Sequence, residues 1–155
     1  MANPMYGQNK SDNMLDHAGH STKVISVSTT LVADDSGSTL VVIANAGITL
    51  TLPSAASGLN FNILFGGNAA ETEDIIIDTG ADANYLNGAL AIHDTDATAA
   101  VALAPIYPNG SSNSKMTLKD PGGGTWLHMV CDGTLWYCAG LISTITATAV
   151  VYADQ

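Results

Sequence analysis

Short apolar runs at regular spacing are the feature that most limits what this chain can fold into. From residue 23 onward, runs of four to nine residues rich in Val, Ile, Leu and Thr are separated by Gly, Pro, Asn, Asp and Ser. Such a pattern is typical of the strands of a sandwich or barrel. The predicted strands cover residues 23–27, 30–33, 39–44, 49–52, 60–65, 74–78, 89–92, 99–103, 115–118, 125–131, 134–139 and 144–152.

The composition also favours an all-β protein. Thr, Ser, Gly and Asn are abundant, and this mixture suits short strands and tight turns better than helices. Since 155 residues suffice for one core, we expect a single β domain over residues 22–155, built as an antiparallel sandwich, a jelly roll or a short barrel. Residues 1–21, "MANPMYGQNKSDNMLDHAGHS", show no strand or helix period and are predicted to form an extended arm.

The charge balance indicates which partners to expect. Only 12% of the residues are charged, the four basic residues are all Lys, and the net charge is -10. A nucleic-acid backbone is bound mainly through basic side chains, so we expect no nucleic-acid partner. We find neither a secretory signal nor a run of about 18 apolar residues, so we expect synthesis in the cytoplasm and no membrane partner.

The stretch "VCDGTLW" at 130–136 predicts a hairpin, because Asp132 and Gly133 tolerate the positive φ of a two-residue turn. With that turn, one face of the hairpin carries Trp126, His128, Val130, Leu135, Tyr137 and Ala139, and the other carries Leu127, Met129, Cys131, Thr134, Trp136 and Cys138. Both faces are substantially apolar and need cover. The second cover comes either from the sandwich itself or from another subunit.

Two further expectations concern the same end of the chain. Cys131 and Cys138 fall on opposite strands of the hairpin but too far apart in register for a disulfide, so two buried thiols are predicted. Residues 144–152 alternate threonine with apolar residues, which predicts a terminal strand with a threonine-lined face.

The stretch "EDIIIDTGADANYL" at 73–86 resembles the active-site strand of retroviral-type aspartic proteases, with the match on Asp78, Thr79, Gly80 and Ala81. That family would imply a homodimer whose two carboxylates share one proton. The glycine-rich flap and the second apolar element of the family are not at the required distances in this chain. The favoured interpretation is a buried strand over residues 75–77 that ends in a turn from Asp78 to Gly80.

Metal sites were the remaining alternatives. Asp74, Asp78 and Asp82 offer oxygens that suit Ca²⁺, but their spacing is not that of an EF-hand. His17 and His20 offer two imidazoles without a fixed third ligand, and a solvated segment is favoured. The single histidines of the predicted strands are expected to be hydrogen-bonded structural residues. We therefore predict no catalytic residue, no metal and no cofactor.

The strings "ITLTLPSAASGLNFNILF" at 48–65 and "GGGTWLHMVCDGTLWYCAG" at 122–140 resemble a pattern of tailed-bacteriophage virion proteins. The opening "MANPMYGQNKSDN" is also similar to the start of small structural proteins of marine phages. The resemblance covers about half the chain. The chain has no coiled-coil or collagen-like stretch of the kind found in a long tail fibre. It implies a non-enzymatic capsid decoration or cement protein, often a homotrimer, that binds the major capsid protein on the virion surface.

A tail or tail-fibre-tip component is the alternative that shares this pattern. For the decoration protein, the expected contacts fall into two groups: arm residues against the capsid and hairpin residues between protomers. The arm residues are Pro4, Met5, Tyr6 and Asn9, and the hairpin residues are Trp126, Leu135 and Tyr137.

Overall fold

Buried and exposed residues alternate along most strands of the structure, because each strand has one side in a shared core. The structure is a computed structural model that describes residues 14–15, 21–44, 46–67, 73–95, 103–146 and 148–155. Within these residues, thirteen strands form two packed sheets, and the helical part is a single 3-10 turn at Ala33–Asp35. The predicted all-β sandwich is therefore confirmed.

The strand bounds agree with the sequence pattern in most places. In chain order the strands are β1 Met14–Leu15, β2 Ser21–Ile25, β3 Thr29–Thr30, β4 Thr39–Val42, β5 Ile48–Thr51, β6 Asn60–Phe65, β7 Ile75–Asp78, β8 Leu86–Asp94, β9 Leu103–Ile106, β10 Lys115–Leu118, β11 Trp126–Cys131, β12 Trp136–Thr144 and β13 Val150–Ala153. Most of the strand predicted at 99–103 lies outside the described residues. No helix in the part of the chain that the structure describes has the length and apolarity needed to cross a membrane.

The larger sheet has the strand order β1-β2-β4-β6-β11-β12-β8-β9, and the smaller sheet has the order β13-β10-β7-β5-β3. From β2 to β7 the chain alternates between the two sheets, so β2, β4 and β6 are parallel neighbours in one sheet and β3, β5 and β7 in the other. This part of the chain winds as a short coil around the core, as in solenoid proteins.

The rest of the sandwich is mostly antiparallel. Strand β11 pairs with β6 and β12, and β10 pairs with β7 and β13, in antiparallel register. Strand β8 then returns beside β12 in parallel register. The sheets are thus mixed, and the prediction of a wholly antiparallel sandwich is corrected, because connections that cross between sheets place successive neighbours in parallel.

The core lies between the two sheets. Its largest fully buried side chains include Trp136 from β12 and Phe61 from β6, whose ring centroids are 6.0 Å apart. The Cys131 and Cys138 thiols are buried and unbonded to each other, as predicted. Burial raises the pKa of Cys138 to about 11, so this thiol is neutral at physiological pH.

The β11–β12 hairpin has a longer turn than predicted. Cys131 pairs with Trp136, whereas a two-residue turn at Asp132 and Gly133 would pair it with Thr134. A shift of two residues preserves the alternation of the strand, so the predicted faces are retained. The inner face carries Leu127, Met129, Cys131, Trp136 and Cys138, and the outer face carries Trp126, His128, Val130, Tyr137 and Ala139.

The predicted C-terminal strand at 144–152 is wrong in its first half. Strand β12 continues to Thr144, which is buried and donates its hydroxyl to the carbonyl of Lys119 at 2.9 Å. Thr144 Oγ1 also accepts the backbone N–H of Thr146, and the Thr146 hydroxyl bonds Asp120. Threonine hydroxyls compete for backbone groups in turns, and here they hold a bend where the pattern predicted an alternating strand.

Gly140 on β12 and Gly88 on β8 allow neighbouring strands of the larger sheet to approach closely. A Cβ at Gly140 would lie 2.2 Å from the carbonyl oxygen of Trp126 on β11. A Cβ at Gly88 on β8 would lie 2.1 Å from the carbonyl oxygen of Cys138, and Gly88 has a φ of +99°. A side chain at either position would therefore collide with backbone, so the centre of the larger sheet depends on these two glycines.

We expect Gly140→Ala to lower the free energy of unfolding by about 1–3 kcal/mol, the range for overpacking a well-filled site. Urea unfolding followed by circular dichroism measures this change. The matched control is Ala139→Ser, at the exposed neighbour on the same strand, which should shift stability by less than about 0.5 kcal/mol. Equal stability of the two variants would contradict the close approach at Gly140.

Candidate functional site

The two outer faces of the sandwich differ sharply in chemistry. The outer face of the smaller sheet carries threonines on β3, β5 and β10 and a pair of opposite charges in register, Asp78 and Lys115. Among the described strand positions, no Lys, Asp or Glu points outward from the larger sheet. We call the outward-facing side chains of β2, β4, β6, β11, β12 and β8 the uncharged face.

An apolar row crosses the uncharged face, with one residue from each strand in register. The row consists of Val24, Val41, Leu64, Trp126, Leu141 and Ala91. Val24, Leu64 and Trp126 are exposed by 62%, 45% and 44%, respectively, and the other three are half-buried. An apolar strip with three exposed members is a candidate interaction surface.

A second row, beside the apolar row, is polar and contains no Lys, Asp or Glu. His128 on β11 lies opposite Asn62 on β6, and the His128 Nδ1 to Asn62 Oδ1 distance is 2.8 Å. Thr22 and Thr39 continue this row on one side, and alanines continue it on the other. The centre of the face therefore carries a hydrogen-bonded polar pair next to the exposed side chains of Leu64 and Trp126.

Asp132 organises the turn at the margin of the uncharged face. Its Oδ1 accepts the backbone N–H groups of Thr134 and Leu135, both at 2.8 Å, and its Oδ2 accepts the Tyr137 hydroxyl at 3.1 Å. The backbone N–H of Leu135, followed by that of Thr134, holds the pKa of Asp132 below its ordinary value. The hydrogen bond to Asp132 in turn raises the pKa of Tyr137.

The structure places the predicted protomer contacts in different surroundings. Trp126 and Tyr137 lie on the uncharged face, where both are exposed. Leu135 lies in the turn before β12 and is half-buried. The predicted capsid contacts of the arm, Pro4, Met5, Tyr6 and Asn9, lie outside the described residues, as do His17 and His20.

Asp78 ends β7 and begins a turn, as the favoured interpretation predicted. Its Oδ1 accepts the backbone N–H of Gly80 at 2.7 Å and the Nε2–H of Gln155 at 2.6 Å, and Gly80 has a φ of +78°. Ser114 joins this cluster, since its carbonyl accepts the N–H of Thr79 and its hydroxyl bonds Asp154. Hydrogen bonds thus link the Asp78-Thr79-Gly80 turn and its neighbour Ser114 to the two residues that follow β13.

The three carboxylates that were considered as an alternative calcium site have separate partners or positions. Asp74 bonds Lys119, Asp78 bonds Gly80 and Gln155, and Asp82 lies exposed in the following loop. In the ranges that the structure describes, no group of three or more His, Cys, Asp or Glu side chains is arranged to hold a metal ion.

Most of the apolar row was missed by sequence reasoning, although a signal for part of it exists. Residues 60–65 alternate, and Leu64 falls on the side opposite to the buried Phe61, Ile63 and Phe65. Val41 likewise falls opposite Leu40 and Val42. Alternation marks these two residues as outward-facing, but only the strand order shows that they are neighbours.

Comparison of the chain with protein-family models, curated proteins and solved structures finds no match to any of them.

The turn at Asp132 gives a prediction about pH. Because its native pKa is lowered, Asp132 stabilises the fold above its unfolded-state pKa of 3.8, and the contribution is lost as the pH falls through the native pKa. Asp132→Asn keeps a side-chain acceptor but cannot titrate. The melting temperature of the native chain should therefore fall more steeply below pH 3.8 than that of the variant.

Circular dichroism melts between pH 2 and pH 6 measure this difference. Asp82→Asn, at an exposed loop position, is the control and should follow the native curve. Parallel curves for the native chain and Asp132→Asn would show that the carboxylate does not support the turn.

Proposed function

We propose that this protein is a non-enzymatic virion structural protein of a tailed bacteriophage, a decoration or cement protein that binds the outer surface of the head. The observation that carries the proposal is the uncharged face, an apolar strip on a chain whose net charge is -10. Apolar strips rimmed by polar residues are typical of surfaces that bind other proteins. The proposed function is therefore assembly with other proteins, through a site that extends over the outer face of the larger sheet.

The positions of the two phage-like strings support this assignment. The first string forms β5, a turn and β6, and the second forms the β11–β12 hairpin. Strands β6 and β11 are direct neighbours, and backbone hydrogen bonds join Gly58 to Cys131 at 2.9 Å and Cys131 to Leu59 at 2.8 Å. The two strings therefore build one contiguous unit, and the centre of the uncharged face is the outer surface of that unit.

The N-terminal arm is the second part of the proposal. β1, at residues 14–15, pairs with β2 at the edge of the larger sheet. We propose that Pro4, Met5, Tyr6 and Asn9 contact the major capsid protein. In this proposal the protein acts as a homotrimer on the virion surface, without nucleic acid, membrane or cofactor.

A binding experiment tests the proposal directly. Heads assembled from the major capsid protein of the same genome are mixed with excess purified protein, sedimented and analysed by quantitative gel electrophoresis. We expect saturable binding with copies distributed over the whole head, visible by electron microscopy. Absence of binding to heads, or a few copies confined to the tail of whole particles, would overturn the decoration function, and the second result would favour a tail component.

The role of the arm has a separate test. Deletion of residues 1–13 leaves β1 in place, so the variant should keep the circular dichroism spectrum and melting temperature of the native chain within error. Its affinity for heads should fall at least about tenfold, as expected when a contributing contact is removed. Full occupancy by the deletion variant would remove the arm from the proposed contact.

A further inference from the structure

We infer that the uncharged face is covered by a second copy of this chain, so that it forms the contact between protomers of a homo-oligomer. This inference rests on the proposed function, which holds that the uncharged face binds protein. It adds which protein binds there. Three features of the face support a copy of itself as that occupant: the placement of charge, the exposed apolar centre and the bonded polar pair.

The first feature is the placement of negative charge. The chain carries 14 carboxylate residues and four Lys. The described carboxylates lie in turns, at strand ends or on the smaller sheet, for example Asp35 in the 3-10 turn before β4, Asp78 on β7 and Asp120 after β10, while Asp132 in the β11–β12 turn lies at the margin of the uncharged face. At physiological ionic strength, charges closer than about 8 Å still repel each other. The uncharged face is therefore the side on which two acidic copies meet with the least repulsion.

The second feature is the apolar centre. Leu64 and Trp126 are directly opposite each other on β6 and β11, and they are exposed by 45% and 44%. Exposed tryptophan in the middle of a patch is typical of residues that dominate the free energy of an interface. The outward strand positions that the structure describes offer no Lys, Asp or Glu to an acidic or basic partner, whereas the apolar surface of another copy of the chain matches them in both respects.

The third feature is the polar pair in the adjacent row. His128 Nδ1 and Asn62 Oδ1 are 2.8 Å apart, so each residue already satisfies one polar group within its own protomer. Burial of polar groups costs most where they lose hydrogen bonds to water without replacement. The pair lowers this cost, so the centre of the face can be buried without leaving these two groups unpaired.

Light scattering after size exclusion, without capsids present, tests the inference on the full chain. The native protein should elute at a multiple of 15.9 kDa. Leu64→Lys places a charge at the centre of the uncharged face and should weaken self-association at least about tenfold. Val151→Lys is the matched control, since Val151 is a strand residue of the smaller sheet with a similar exposure of 40%, and it should leave the oligomer intact.

Tryptophan emission of the native chain provides a measurement that needs no variant. Trp136 is fully buried in the core, whereas Trp126 lies on the uncharged face. Dilution that dissociates the oligomer should therefore shift the emission to longer wavelength as Trp126 becomes exposed. An unchanged spectrum over the range in which the mass falls would overturn the inference.

The remaining outcomes are equally decisive. A monomeric native protein at high concentration overturns the inference, as does an oligomer dispersed by Val151→Lys but not by Leu64→Lys. A monomer that decorates heads would leave the proposed function standing without this contact. An oligomer that requires the uncharged face but does not bind heads would support the inference and remove the capsid function.

Discussion

The pairing of β6 with β11 is the interaction on which the rest of the structure depends. On one side of it the chain winds in parallel register through β2, β4 and β6, and on the other side β11, β12, β8 and β9 complete the sheet. Phe61 and Trp136 pack in the core beneath this junction, and Leu64 and Trp126 lie above it. The same two strands thus join the halves of the core and bring together the centre of the uncharged face.

The segregation of charge follows from this architecture. Carboxylates concentrate in the turns and on the side of the smaller sheet, where Asp78 also holds the turn after β7 through Gly80 and Gln155. The outer surface of the larger sheet keeps Val, Leu, Trp and Ala in its apolar row. With this distribution, most of the described carboxylates of the chain lie away from the uncharged face.

Much of the fold could be predicted from local pattern. Residues 60–65 and 115–118 form strands with the predicted bounds, and the hairpin faces are those expected from alternation around Asp132 and Gly133. The turn itself was misjudged by two residues, because Asp132 accepts two backbone N–H groups and tightens a longer loop. The bend at Thr144 was missed because its bonding partner, Lys119, is distant in sequence.

The sequence by itself determined most of the strand segments and which side of most of them is buried, because these properties depend on residues close together in the chain. It also determined that the chain is acidic with few charges. Only the tertiary structure decided that β2 to β7 wind in parallel and that Val24, Val41, Leu64, Trp126, Leu141 and Ala91 form one row. The physical reason is that strand order and register arise from long-range backbone pairing and packing. A short alternating pattern shows which side of a strand is buried, but it is compatible with many choices of neighbouring strand.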